Sequence, residues 1–248
     1  MGSDNKYSIN NKIIKCMSSI NQLVSEVAHA VGQPNNVPLR RNIKAAIIHT
    51  RNELIRKSYE NHRYVDKGLE QRIRVNVIDV PDGDIYVNGL DVLIKPIKRT
   101  ENKVPRPVRL INNLPFQSIR TVGYRNVSIP FNKEGSAQFY HHLVGMCNTP
   151  SYDYINEYIY FFGDVDWFKD LGSIVIESVF EHPHLINVET VENKDNYQYD
   201  IDDDDARDND EFLLPEDMIG AIKDIIFKRN LLQVPRETNE TPNDNLIK

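Results

Sequence analysis

The sequence predicts an α+β fold: an N-terminal helical hairpin, a mainly antiparallel β domain, and a C-terminal helix continued by an extended arm. Three observations predict it. Apolar residues recur at three- and four-residue steps near both ends of the 248-residue chain. Between those regions the period falls to two. Helices and strands come in separate runs instead of alternating, which favours α+β over a doubly wound sheet.

Residues from about 8 to 31 place Ile9, Ile13, Met17, Ile20, Val24, Val27 and Val31 on one helical stripe. Ser18 and Ser19 are good caps, so a fresh helix can start there and split the stretch. Gly32 ends it. After a short loop, Pro38 stands at the start of a second helix, where its missing N–H costs nothing. Leu39, Ile43, Ala46, Ile47, Leu54 and Ile55 form that helix's stripe, and the short connection implies an antiparallel hairpin. After Gly68, Arg72 to Val80 alternates polar and apolar, as a half-buried strand does. Pro81-Asp82-Gly83-Asp84 is a turn. Ile85-Tyr86-Val87 and Asp91-Val92-Leu93-Ile94 read as short strands, with Asn88-Gly89 as a hairpin signal. Strand-like pieces follow at Ser118–Tyr124, Tyr154–Phe162 and Ser173–Phe180, the second rich in aromatic and β-branched residues.

From Val191 to Glu211 the chain is acidic and nearly free of apolar residues, which reads as an exposed loop that orders on a partner. Leu213-Leu214-Pro215 opens a final helix to about Asn230, with Met218, Ile219, Ile222, Ile225, Ile226 and Phe227 as its stripe. Asp217 suits its first turn, and Lys228 and Arg229 its last. Residues 233–248, with Pro235 and Pro242, form an arm without a core of its own. The expected organisation is a helical region over 1–70, a β-rich domain over 71–190, an acidic loop over 191–212, a helix over 213–232 and the arm over 233–248.

Charge is distributed unevenly. The net charge of −6 conceals 11 basic and 6 acidic residues in 1–70, 11 and 5 in 71–133, and 8 and 25 in 134–248. A basic half is joined to an acidic half. Nucleic acid is one partner for the basic half. The acidic half of another copy is a second, and head-to-tail contacts of that kind close into rings when the rotation permits. A mean hydropathy of −0.50 leaves much of the surface wet. Cys16 and Cys147 form no disulfide framework and fit a reducing compartment, the cytoplasm at synthesis. The polar N-terminus carries no signal core, and no run approaches the roughly 20 apolar residues of a membrane span.

There is no phosphate-binding Gly-rich loop, nucleophile elbow, His-Glu-x-x-His or Cys-x-x-Cys. The expectation is a protein that is not an enzyme and uses no cofactor. A hydrolase built from Asp164, Asp166 and His141 has no supporting spacing. His141-His142 and His182-Pro183-His184 lack the further ligands a metal needs. Asp200, Asp202, Asp204, Asp208 and Glu211 fall at positions 1, 3, 5, 9 and 12 of a twelve-residue window, as in a calcium-binding EF-hand loop. Asp205 stands where that loop needs Gly, and Arg207 where it needs an apolar residue, so a solvated charge run is the simpler reading.

Lys98-Arg99-Thr100-Glu101-Asn102-Lys103-Val104-Pro105-Arg106-Pro107-Val108-Arg109-Leu110 runs into Leu114-Pro115-Phe116. Later, Phe180-Glu181-His182-Pro183 ends a strand, and an acidic loop leads to Leu214-Pro215-Glu216-Asp217-Met218-Ile219. Together with the leading helical hairpin and the Pro- and Asn-rich tail, these features resemble the head-to-tail connector ring proteins of podovirus-type, crAss-like bacteriophages. The resemblance spans roughly residues 18–245, through short motifs. It implies a structural virion subunit in a homo-oligomeric ring, twelve-fold in many relatives, stacked beneath the portal protein against neighbouring tail and ring proteins. It further implies a lumen through which genomic DNA passes during ejection, and it brings no catalytic residues and no membrane contact.

Residues expected at interfaces are Arg40, Arg41, Lys44 and Arg51 on the second helix, Lys103, Pro105, Arg106, Pro107 and Arg109 in the proline segment, Asp202, Asp203 and Asp204 in the acidic loop, and Pro235 and Pro242 in the arm. Pro105 and Pro107 fix an extended, donor-poor segment. It suits either lying across a neighbour or pairing at a sheet edge within one subunit. The alternative function is a DNA-binding or packaging accessory protein acting through Arg40–Lys57 and Lys95–Arg109.

Overall fold

The computed structural model of the chain describes residues 19–84, 96–110, 114–122, 126–132, 149–186, 208–209 and 212–228. Helix α1 spans Ile20–Ala30, and Ser19 caps it, its side chain accepting from the Gln22 N–H. The split foreseen at Ser18 and Ser19 thus marks the start of α1, while the stripe before it lies outside the described residues. Helix α2 spans Val37–His62, with Asn36 as its cap, Pro38 in its first turn and Arg63 closing it in the left-handed region.

The antiparallel hairpin is present. Arg40, early in α2, donates to Asn21 Oδ1 and Ser25 Oγ on α1. Helix α4, Glu216–Lys228, packs back on both. Ile20, Leu23, Val24 and Val27 of α1, Ile43 and Ile47 of α2, Phe212, Leu214, and Ile222 and Ile226 of α4 form one buried cluster. Phe227, expected on that stripe, is exposed: only Ile222 and Ile226 are fully buried on α4.

The strands follow: β1 Gln71–Asp79, β2 Lys98–Thr100, β3 Ser118–Thr121, β4 Ser151–Ile155, β5 Tyr158–Phe162 and β6 Ser173–Ser178. A one-turn helix, α3, spans Val165–Phe168. The sheet order is β3-β6-β1-β2-β5-β4, antiparallel throughout. β1 keeps the expected alternation, burying Ile73, Val75 and Val77 while Arg72 and Arg74 face water. The turn at 81–84 also forms, with the Asp84 N–H donating to the Pro81 carbonyl and Gly83 at φ 97°. The strand and hairpin signals at Ile85–Ile94 lie outside the described residues.

The expected strand Tyr154–Phe162 is instead a hairpin. Ile155 pairs with Tyr158 across a two-residue turn, and Asn156 and Glu157 both take positive φ, 52° and 69°. That is the geometry whose twist matches a tight hairpin. The piece 118–124 ends as a strand at Thr121, and 173–180 at Ser178, with Phe180 joined only by an isolated bridge to Pro107.

The two sheet edges, β3 and β4, are joined by one segment. Ser128 bridges Arg120 of β3, with the Ile129 N–H donating to Ile119 O. Phe131 then bridges Tyr152 of β4, with the Asn132 N–H donating to Tyr152 O. Among the described residues the segment thus links both sheet edges, and the sheet curls into a small barrel-like shape. Ile73, Val75, Phe116, Ile119, Ile129, Ile159, Phe161, Phe168, Ile174 and Ile176 fill it. A third cluster joins barrel and helices: Ile55, Leu69, Val108, Leu110 and Val179, with Met218 packed against them.

Candidate assembly interface

Where helices meet barrel, Arg51 is wholly buried. Its Nε donates to Leu213 O at 3.1 Å, and one terminal nitrogen donates to Phe180 O at 3.1 Å and Asn52 Oδ1 at 3.0 Å. The guanidinium lies over the Phe212 ring at 5.7 Å. One side chain thus ties α2 to the chain just past β6 and to the segment that enters α4. Burial pushes its pKa down to about 10, so it stays charged at neutral pH. Among the arginines expected at interfaces, Arg51 is the one fully buried.

The proline segment also pairs within its own subunit. Pro105 and Pro107 are buried. Pro107 faces Phe180, and the flanking bonds run from Val108 N–H to Val179 O and from Glu181 N–H to Arg106 O. That is the non-hydrogen-bonded site of an antiparallel ladder, where proline's missing donor is not needed. Of the two readings, edge pairing within one chain describes this segment.

Several cations hold acids of their own chain. Glu157, at the β4–β5 turn, takes Lys103 at 3.1 Å and Arg106 at 2.7 Å. Partial burial alone would raise its pKa, but hydrogen bonds from the two cations outweigh that and hold the carboxyl below its usual range. Lys44 holds Asp208 at 2.8 Å, and the Asp208 carbonyl accepts from the Asn21 N–H. Asp208, the ninth position of the calcium-like window, is thus engaged by a lysine. Asp200, Asp202, Asp203, Asp204, Glu211, Pro235, Pro242 and His141-His142 lie outside the described residues. His182 and His184 stack edge to face with ring centres 5.9 Å apart. No group of three or more metal-ligating side chains exists among the described residues. Asp164 caps α3, its side chain accepting from the Asp166 N–H.

Beside these pairs runs an open surface. One stripe of α2, with Arg41, Ile48, Asn52 and Arg56, faces the Glu181-His182 turn across a cavity of about 690 Å³. A second cavity, of about 720 Å³, has Pro107, Leu110, Pro115, Phe131 and Tyr154 in its walls and Arg109 beside them. Glu181 lines both. The cavities come together where Arg56 Nε donates to Arg109 O at 3.2 Å. Sequence reasoning named Arg41 and Arg109 but gave Glu157 and Glu181 no role. Their signal was present for Glu157 only, in the spacing Lys103-x-x-Arg106 opposite an acid in a tight turn.

No helix among the described residues is long and apolar enough to cross a membrane. No curated protein matches the chain. A family model described as phage tail ring protein 2 matches residues 22–246, from the first turn of α1 to almost the last residue. The chain therefore belongs to the crAss-like phage tail ring protein 2 family, a family of structural virion components.

Proposed function

We propose that copies of this chain close head to tail into a ring, twelve-fold as in many connectors, that joins the portal protein to neighbouring tail and ring proteins. The ring continues the channel through which genomic DNA leaves the capsid. Its work is assembly, and it needs neither catalytic residues nor a cofactor. The observation that carries this reading is the charge partition. Residues 134–248 carry 25 acids against 8 bases, while α2 keeps arginines on an open face. Complementary faces on one chain favour a repeating contact between copies.

The DNA-binding alternative is weakened by where its cations go. Lys44, Arg99, Lys103 and Arg106 each hold a carboxylate of their own chain, and Arg51 holds carbonyls. Light scattering on the full chain, alone and with a portal, tests the proposal. Particles at a fixed multiple of 28.7 kDa that co-migrate with the portal are expected. A single chain at every concentration, with or without portal, overturns it. Steeply salt-dependent retention on DNA by that single chain would favour the alternative.

A further inference from the structure

Once the internal ion pairs are set aside, three arginines stand around a single acid, Glu181. Arg41 and Arg56 lie on the α2 stripe, and Arg109 lies where the two cavities meet. All three are exposed, and among the described residues none has an ion-pair partner. The surface is thus a trough with two chemistries. One end is cationic. The other has Pro107, Pro115, Phe131 and Tyr154 in its walls, with Leu114 beside them 40% exposed and the Arg106–Glu157 ion pair at its rim.

We infer that this trough receives residues 237–247 of a second copy of the chain; the inference rests on the ring reading and deepens it. Glu237, Glu240 and Asp244 are the charged residues of that stretch, which holds no cation, and Pro242, Leu246 and Ile247 complete it. An acidic run followed by an apolar pair matches a run of arginines followed by a cavity that offers proline, leucine and aromatic surface between its charged residues. The lengths agree as well. Fifteen residues of helix separate Arg41 from Arg56, about 22 Å. Seven residues of extended chain separate Glu237 from Asp244, also about 22 Å. Proline pre-sets the extended backbone, and aromatic and proline surfaces are what such segments dock on.

Reach favours a neighbour as the source. α4 runs antiparallel to α2, with Met218 packed near Ile55 and Ile222 beside Ile47. The chain therefore leaves α4 at the end of the helical layer remote from the apolar cavity. Eighteen residues from Lys228 to Leu246 extend to about 60 Å. That exceeds the radius of gyration of roughly 18 Å expected for a folded chain of this size. A segment of that length can reach an adjoining copy, whereas entering its own trough would require it to double back along α2.

Charge reversal in the full chain tests this. Arg41→Glu, Arg56→Glu and Arg109→Glu together are expected to weaken self-association at least tenfold by sedimentation velocity. Glu237→Arg, Glu240→Arg and Asp244→Arg together should do the same. A chain carrying all six changes should recover most of the loss, which separates a broken contact from a misfolded subunit. A fluorescent peptide of residues 233–248 should bind the tail-reversed chain and fail to bind the trough-reversed one. If self-association persists unchanged in both triple variants, or the six-fold variant is not rescued, the inference is overturned and the ring reading survives. If the peptide binds but the wild-type chain never associates, the trough assignment stands and the ring reading fails. If the wild-type chain excludes the peptide without associating, the segment occupies its own trough and the second-copy assignment is wrong.

Discussion

The barrel and the helical layer of this protein differ in how completely they pair their arginines. The barrel turns its ions on itself: Arg72 on Glu177, Lys103 and Arg106 on Glu157, Arg99 on Asp84. The helical layer is held by apolar contact among α1, α2 and α4, pairs lysines with Asp208, Glu53 and Glu26, and leaves Arg41 and Arg56 of α2 on an open face. A surface that satisfies its own charges gains little from a neighbour. One that leaves arginines together along a groove keeps a standing attraction for acidic partners. In the ring proposed above, this contrast would put the assembly face on α2 and its border with the barrel and give the barrel a supporting role. The joint between the two regions combines both strategies in a single buried cation, Arg51.

The largest way to break this arrangement is therefore at the joint. Arg51→Ala removes the donor shared by Leu213 O, Phe180 O and Asn52 Oδ1 and leaves those acceptors buried in a void. A loss of at least about 4 kcal/mol is expected, since each buried unsatisfied polar group costs about 1–3 kcal/mol. Urea unfolding measures it. A loss under about 1 kcal/mol would mean that helices and barrel are held together without this residue.

A smaller effect should come from opening the barrel alone. Ile129 is buried in the segment that joins β3 to β4. Ile129→Ala is expected to cost about 3 kcal/mol, in the range for removing a large buried aliphatic side chain. If the regions differ as argued, this variant should loosen hydrogen-exchange protection in β3 and β4 more than in α1 and α2. Equal loosening in both would erase the distinction.

Much of this fold was legible because its periodicities are clean. The α2 stripe and the alternation of β1 each follow from burial of one face, which sequence spacing reports directly. The hairpin within Tyr154–Phe162 was not legible, because its turn uses Asn156-Glu157 where a glycine would normally announce positive φ. The link between the two sheet edges was hidden for a different reason: single bridges at Ser128 and Phe131 leave no repeating pattern. Part of the candidate site could be read, since a basic helix face and a proline segment are visible in one dimension. What could not be read was which cations are already taken. Lys44 and Asp208 lie far apart in sequence, and only the return of the chain past α1 brings them together.

The smallest effect concerns how much the barrel gains from pairing its own charges. Glu157 sits at φ 69°, a backbone region that side chains adopt reluctantly, and its carboxylate serves two cations. Glu157→Gln keeps the backbone and removes the charge, so it isolates the pairing. The pair is partly exposed, and a loss of only about 0.5 kcal/mol is expected at neutral pH. Its pH dependence has a definite sign. The folded carboxyl has a pKa below its unfolded value of 4.5. Its contribution is therefore complete above that value and fades as pH falls through the lower folded one. Wild type and variant should differ in urea midpoint at pH 7, and the difference should shrink steadily below about pH 4.5 as the free carboxyl becomes protonated. A difference that stays constant down to pH 3 would assign the effect to the turn's backbone instead of its charge. The barrel's self-pairing would then contribute nothing to the contrast with α2.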